Sequence, residues 1–366
     1  MRSIGIMTLS KTSETTYHTE MAKRASALNL LCYRFIPSSI NPMTEKADGE
    51  RYNPANDRWE SCQFDIPPIL YDRCFYSDSV YSKHNASIVN WLKKREDLTF
   101  IGYGLPNKLT LYEQLHHTVL NPYLPVTTAF ISPDAFIKHL QDTVPVVLKP
   151  ANGSQGRGIY KVTKLKDHIL IETDKQNQLM TKTFPAPKAA LWLEQLTENN
   201  SYFYQPYLAL VNQHQEPFDL RFLLQKDKSG KWHQAGNGIR TGRKNGLISN
   251  MSAGGLVSKT DDWLKTIPAK QSAFIIEELQ YILETIPVLL EKHFPPLFEL
   301  GIDIGIDTNG AIWILDINSK PGRKVMLTLY PESSDDLYKA PLVYANYLAE
   351  KNPQSKEDHH EKTISN

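Results

Sequence analysis

The chain has 366 residues, with 41 Lys and Arg against 40 Asp and Glu, 41% apolar and 22% charged positions. This is ordinary globular composition at a length that suits two or three domains. Balanced charge removes the electrostatic footprint of a nucleic-acid binder, and no apolar run approaches the roughly 18 residues of a membrane span.

The first residues, with Arg2 but no apolar stretch and no small-residue cleavage site, do not read as a signal peptide. Residues 3–9 read as a short apolar strand, 15–28 as a helix through Met21, Ala25 and Leu28, and 30–35 as a second strand. Three cysteines, Cys32, Cys62 and Cys74, are odd in number and lack CxxC spacing. That argues against a disulfide framework or zinc site and for a reducing cytoplasm. The polar stretch 41–58 reads as a long hairpin or loop. A third strand at 69–74, a helix at 86–95 and a fourth strand at 98–103 continue the alternation, which predicts a small α/β sheet. Gly102, Gly104 and Pro106 then punctuate the chain, so an N-terminal α/β domain is expected over 1–105 and a larger domain over 106–350.

In the second part, 144–150 and 159–162 read as strands around a loop at 151–158. Residues 218–226 and 232–240 read as a strand pair around Ser229 and Gly230. Apolar residues at 275, 279, 282, 283, 286 and 290 give a helical face over 270–294, with Pro287 expected to kink or divide it. Residues 351–366 lack hydrophobic periodicity and read as a disordered polar tail.

The most informative segment is 300–318. Asn309-Gly310 is a strong two-residue hairpin signal, because both positions favour positive φ. With that turn, Ile302 faces Ile317, Ile304 faces Leu315 and Ile306 faces Trp313, a wholly apolar side. The opposite side sets Asp303 against Asp316, with Asn318 two residues on and pointing the same way. Facing carboxylates repel. Either one takes up a proton or a divalent cation sits between them. Gly301 and Gly305 flank Asp303 and leave room for a bulky group. Two carboxylates and an amide oxygen suit Mg²⁺; the bland alternative is the solvated face of an edge hairpin.

Lys149 precedes a loop with Gly153, Ser154, Gln155, Gly156 and Gly158, where glycine N–H groups can nest around phosphate oxygens. It is neither a Walker A loop nor a G-x-G-x-x-G helix opening, and a plain glycine-rich hairpin is the alternative. Asp219 and Arg221 share one strand face, Arg240 ends the next strand, and 245–255 is a polar, glycine-closed loop. An Asp–Arg ion pair at i, i+2 is the bland reading; arginines converging on a phosphate or carboxylate are the functional one.

Taken in order, these pieces resemble the ATP-grasp superfamily over roughly 108–322, and the wording of 69–73, 301–307 and 313–322 is most similar to the YheC/YheD endospore-coat-associated proteins. The resemblance implies a mixed α/β (α+β) ATP-grasp fold preceded by a small Rossmann-like α/β domain. It implies ATP and one or two Mg²⁺ ions as cofactors. Lys108 and Lys149 then resemble the nucleotide lysines, and Gly153, Ser154, Gln155, Gly156 and Gly158 the phosphate loop. Gln205, Tyr207 and Leu208 resemble the adenine hinge, and Asn250 falls in the polar loop of the same site. Arg221 and Arg240 resemble arginines facing the γ-phosphate and acceptor, and Asp303, Asp316 and Asn318 the metal ligands. Two departures stand out: Asp316 replaces the usual glutamate, and the hinge carries no glutamate. The implied activity joins a carboxylate to an amine through an acyl phosphate, with small-molecule or peptide substrates and spore-coat proteins as partners, in the cytoplasm of a spore former and away from nucleic acid and membrane. A non-catalytic coat scaffold and a kinase on the same fold are the other readings.

Overall fold

The computed structural model describes residues 2–153, 157–175, 178–249 and 255–351. Ser154, Gln155, Gly156 and Asn250 of the expected site, and 352–366 of the expected tail, lie outside the described residues.

The alternating N-terminal pattern builds a first sheet of β1 (Arg2–Met7), β2 (Leu30–Ile40), β3 (Lys46–Asn53), β4 (Arg58–Asp65), β5 (Ile69–Asp72) and β6 (Thr99–Phe100). Its spatial order is β4-β3-β2-β1-β5-β6. Helix α1 (Thr15–Ala25) joins β1 to its parallel neighbour β2, and α2 (Val80–Leu92) joins β5 to β6. The polar stretch at 41–58 resolves as a hairpin, β3 against β4. The strand expected at 98–103 shrinks to two residues: Ile101 still donates to the Leu70 carbonyl (2.9 Å), and beyond it the chain leaves the sheet for the linker to α3 (Lys108–Leu115).

A second sheet holds β7 (Thr128–Ala129), β8 (Val146–Pro150), β9 (Tyr160–Leu165), β10 (His168–Lys175), β11 (Gln178–Pro185) and β12 (Tyr202–Pro206), in the order β11-β10-β9-β8-β12-β7. Helices α4 (Pro133–His139) and α5 (Ala186–Thr197) cover it through Phe136, Ala189 and Leu193. The third sheet is β13 (Phe218–Lys226), β14 (Trp232–Thr241), β15 (Leu256–Ser258), β16 (Glu299–Ile306) and β17 (Ile312–Asn318), in the order β15-β14-β13-β16-β17. Helices α6 (Thr260–Leu264), α7 (Ala269–His293), α8 (Lys324–Leu329) and α9 (Ser334–Lys351) complete the chain.

Helix α7 runs through Pro287 undivided. Burial of Ile275, Leu279, Ile282, Ile286 and Leu290 against Leu220, Phe222, Ile302 and Ile304 holds it together despite the lost backbone hydrogen bond. Central strand β13 is buried on both faces. Alternation puts Leu220, Phe222 and Leu224 under α7 and sends Asp219, Arg221, Leu223 and Gln225 to the other side. Leu223 lies beneath Val325 and Met326 of α8, while Asp219 and Arg221 remain for the cleft. Helix α9 returns to the first sheet, where Tyr338, Leu342 and Ala345 pack with Ile4, Ile6 and Met21. Lys351 closes that helix, so the expected tail loses its first residue to regular structure. All three cysteines are free.

An ionic interlock ties the first sheet to the third. Fully buried Arg73 donates to Glu14 (2.8 and 2.6 Å) and to Glu299 at the start of β16 (2.8 Å). Glu299 also accepts from Arg323 (2.5 Å) and from the Tyr71 hydroxyl (2.6 Å). Beside it, Lys320 donates to Asp72 at 2.7 Å and to the Cys74 carbonyl at 2.7 Å. Consecutive residues Tyr71, Asp72 and Arg73 thus grip the loop that follows β17. Removing one member leaves a buried carboxylate short of its partner. Arg73→Met is expected to lower unfolding free energy by about 3–5 kcal/mol, measured by urea denaturation; a loss below about 1 kcal/mol, typical of surface ion pairs, would show that the interlock holds nothing.

Candidate active site

The site lies on the face of the third sheet opposite α7, and its centre is the hairpin of β16 and β17. Asp303 stands directly across from Asp316, as expected, but not for the expected reason. The connection is a three-residue loop, Thr308 to Gly310: Asp307 and Ala311 are hydrogen-bonded at 3.0 Å, and only Gly310 has positive φ (82°). Asp307 selects it, since its carboxylate accepts from the backbone N–H of Asn309 (2.8 Å) and Ala311 (3.0 Å) and from the Trp313 indole (2.9 Å). The longer loop shifts the pairing by one, so Ile304 faces Ile314 and Ile306 faces Ile312, not Leu315 and Trp313. A bulge between Asp303 and Ile304 then restores the register at Asp303 and Asp316. It also leaves Leu315 beside Gly305, where a Cβ would meet Leu210 and Leu315.

The acidic pair is answered by the protein's own cations. Asp219 does not pair with Arg221 two residues on; each reaches across to a neighbouring strand. Arg221, directly opposite Asp303, places Nη1 2.5 Å from its Oδ1. Arg240, directly opposite Asp219, grips that carboxylate with two hydrogen bonds (2.7 and 2.6 Å) and sets Nη2 2.9 Å from Asp303 Oδ2. Opposite charges thus sit across the strands, the favourable arrangement. Burial would raise the Asp303 carboxyl, but Arg221 and Arg240 outweigh it and hold it at about 2. The proton remedy is therefore not used.

Lys108 opens α3, with Asn107 as its cap, and its Nζ lies 3.0 Å from Asp316 Oδ1. One turn later the Tyr112 hydroxyl donates to the Leu315 carbonyl at 2.6 Å, docking α3 on β17. Asp316 Oδ1 is buried yet accepts no hydrogen bond, so the lysine contact is electrostatic and out of line. Lys149, at the end of β8, approaches from the second sheet and donates to Gln205 Oε1 at 2.8 Å; Gln205 in turn donates to Thr127 at 2.8 Å. Burial, then the charge of Lys108, push the Lys149 ammonium down to about 8 against the pull of Asp316 and Asp303. Two sheets thus close on one spot.

Of the other expected residues, Asn318 lies opposite Gly301 in the same row of strands. Gly153 folds against Pro150, where a Cβ would stand 2.4 Å from the ring, and Gly158 (φ 73°) turns beside the Tyr202 hydroxyl. Tyr207 and Leu208 follow β12. The Tyr207 N–H is taken by the Pro145 carbonyl (3.1 Å), and its ring lies under the Lys161 ammonium. Sequence reasoning missed Thr127, Ser249 and Tyr112; only Tyr112, four residues after Lys108 on one helix face, carried a readable signal. Asp174 was also missed: it accepts from Leu247 N–H (2.6 Å), Ile248 N–H (3.1 Å) and Arg243, fastening loop 242–249 to the second sheet.

Two carboxylates, one with a buried oxygen that accepts no hydrogen bond and faces only the Lys108 ammonium, and an amide make a hard-oxygen donor set. Among the described residues no cluster of three or more His, Cys, Asp or Glu side chains is placed to hold a metal ion. A cation here would need ligands from outside the protein, such as phosphate oxygens and water.

A family model described as YheC/D-like ATP-grasp matches residues 97–348. The endospore coat-associated protein YheC of Bacillus subtilis (strain 168) is 37% identical over 350 residues, covering 95% of this chain and 96% of that protein. The endospore coat-associated protein YheD of the same strain is 26% identical over 334 residues, covering 87% of this chain and 71% of that one. Among solved structures, D-alanyl-alanine synthetase A from Vibrio cholerae matches with a TM-score of 0.53 at 10% identity, over 95% of this chain and 98% of the other. Among the described residues no helix is long and apolar enough to cross a membrane.

The Arg221 guanidinium occupies the space that a side chain at 301 would need: a Cβ there would stand 2.4 Å from Arg221 Nη2 and 2.8 Å from Pro321 Cβ. Gly301→Ala is therefore expected to push Arg221 off Asp303 and destabilise the protein by about 1–3 kcal/mol. Urea denaturation checks this, and unchanged stability would contradict the packing described.

Proposed function

This chain belongs to the YheC/D-like ATP-grasp family, and from that premise we propose that it is an Mg-ATP-dependent ligase that activates a carboxylate for attack by an amine. One observation carries the reading: Lys108, Arg221 and Arg240, drawn from a helix and two strands, converge on Asp303 and Asp316, with Lys149 held beside them by Gln205. Such convergence suits a ligand with a dense negative charge.

In this reading Lys108 and Lys149 meet the triphosphate, and the backbone N–H groups at Gly153 and Gly158 border it. Tyr207 and Leu208 border the adenine. Asp303, Asp316 and Asn318 would hold Mg²⁺, which supplies neutralisation of phosphate charge. Arg221 and Arg240 face the transferring phosphoryl, whose spreading charge they stabilise. A carboxylate oxygen of the substrate bonds to the γ-phosphorus as ADP leaves. The amine nitrogen then bonds to the carbonyl carbon, phosphate departs and the nitrogen loses its proton. The reaction requires no side-chain nucleophile. The substrates are small-molecule or peptide carboxylates and amines, and the name of YheC supports a sporulation setting.

A nucleotide-binding scaffold without turnover is the second reading, favoured by the commitment of both Asp303 oxygens to arginines. Hydroxylamine trapping separates the readings. ATP with a panel of amino acids and acidic peptides is expected to give a hydroxamate from the acyl phosphate. ADP without hydroxamate would point to a kinase, and no ADP at all to the scaffold.

Lys149 adds a pH test. Burial and the charge of Lys108 hold its ammonium down at about 8, and a triphosphate beside it favours the charged form, so binding takes up a proton above that pH. ATP affinity is expected to fall as pH rises through about 8, and Lys149→Met to weaken binding about tenfold or more, the range of a charge-assisted hydrogen bond. Fluorescence titration of a labelled ATP analogue measures both. Affinity that stays level from neutral to alkaline pH would remove Lys149 from the nucleotide site.

A further inference from the structure

Both oxygens of Asp303 are occupied, Oδ1 by Arg221 at 2.5 Å and Oδ2 by Arg240 at 2.9 Å. Arg240 is itself held by Asp219 through two hydrogen bonds of 2.7 and 2.6 Å. Asp219 is further fixed by the Ser249 hydroxyl, which donates to its Oδ2 at 2.8 Å. Three members are buried, Asp219 at 6% exposed, Arg221 at 7% and Asp303 at 9%, and Arg240 is half-buried. A lone divalent cation approaching this carboxylate meets two fixed guanidinium groups of its own sign. Asp316 Oδ1 likewise faces a protein cation, the Lys108 ammonium 3.0 Å away, but in an out-of-line contact that is not a hydrogen bond.

We propose that Asp219 is a positioning residue that holds Arg240 over Asp303 as a mask, so that the metal enters with the triphosphate and not before it. This rests on the nucleotide-binding reading above. A planar guanidinium binds phosphate oxygens as well as it binds a carboxylate. The triphosphate therefore draws the arginines off Asp303 and brings oxygens that complete the cation's shell. The exchange changes partners but breaks no covalent bond. It ties metal affinity to nucleotide, which prevents the empty site from filling with a cation that would block the arginines.

Mn²⁺ is the probe, with the free-ion electron paramagnetic resonance signal as the readout, independent of turnover. The full chain without nucleotide is expected to leave that signal unchanged, and a non-hydrolysable ATP analogue to make it fall. Asp219→Asn loosens the mask and is expected to strengthen nucleotide-independent Mn²⁺ binding about tenfold, the loss of one charged hydrogen bond. Ser249→Ala, a milder change, is expected to shift it the same way by less. A role in folding alone would weaken binding, not create it. Tight Mn²⁺ binding by the unsubstituted protein without nucleotide overturns the mask and leaves the nucleotide reading standing. Asp219→Asn and Ser249→Ala both behaving like the unsubstituted chain overturns the part given to Asp219. Failure to bind Mn²⁺ even with the analogue overturns the metal–nucleotide reading, and the mask with it.

Discussion

Asp303 and Asp316 face each other across neighbouring strands, and how their repulsion is answered shapes the whole cleft. Facing like charges destabilise a sheet unless something neutralises them. Here Arg221 and Arg240 take Asp303, and Lys108 stands by Asp316. The neutralising groups are therefore built in, and the cation inferred from the sequence is not needed to make the hairpin tolerable. What the pattern leaves is a set of basic side chains satisfied only partly by carboxylates and able to accept a better anion.

That set has to be rigid to be useful, and its rigidity comes from behind. Glu299 and Asp303 lie on the same strand, and the loop after Asn318 carries Lys320 and Arg323 into the interlock with Tyr71, Asp72 and Arg73. The first sheet thus fixes both ends of the acidic hairpin. Lys149 comes instead from the second sheet, so one face of the cleft is anchored and the other is contributed by a separate layer.

Much of this was legible in the chain, unevenly. The small α/β sheet at the N-terminus, the strand pair of β13 and β14 and helix α7 followed from strand–helix alternation, periodicity and turn residues. The pairing of Asp303 with Asp316 also followed, though through two offsets that cancel: a loop one residue longer than expected and a bulge. Asp307 caused the first, and the sequence pattern for Asn-Gly could not reveal a side chain capping its own loop. The partners of Asp219 and Arg221 were hidden because cross-strand register, not spacing along one strand, decides which charges meet. Arg73 and Glu299 are 226 residues apart, and a contact of that range leaves no local trace. Family identity was readable because its motifs keep their order.

Every role proposed for the cleft requires Mg-ATP to bind where the cations of both sheets meet the acidic pair. Isothermal titration calorimetry with Mg-ATP tests it most directly, comparing the unsubstituted chain with Asp303→Asn/Asp316→Asn. The expected result is a single saturable binding event that is lost or much weakened in the double variant. Equal affinity in the two proteins, or no heat from the unsubstituted one, would contradict it.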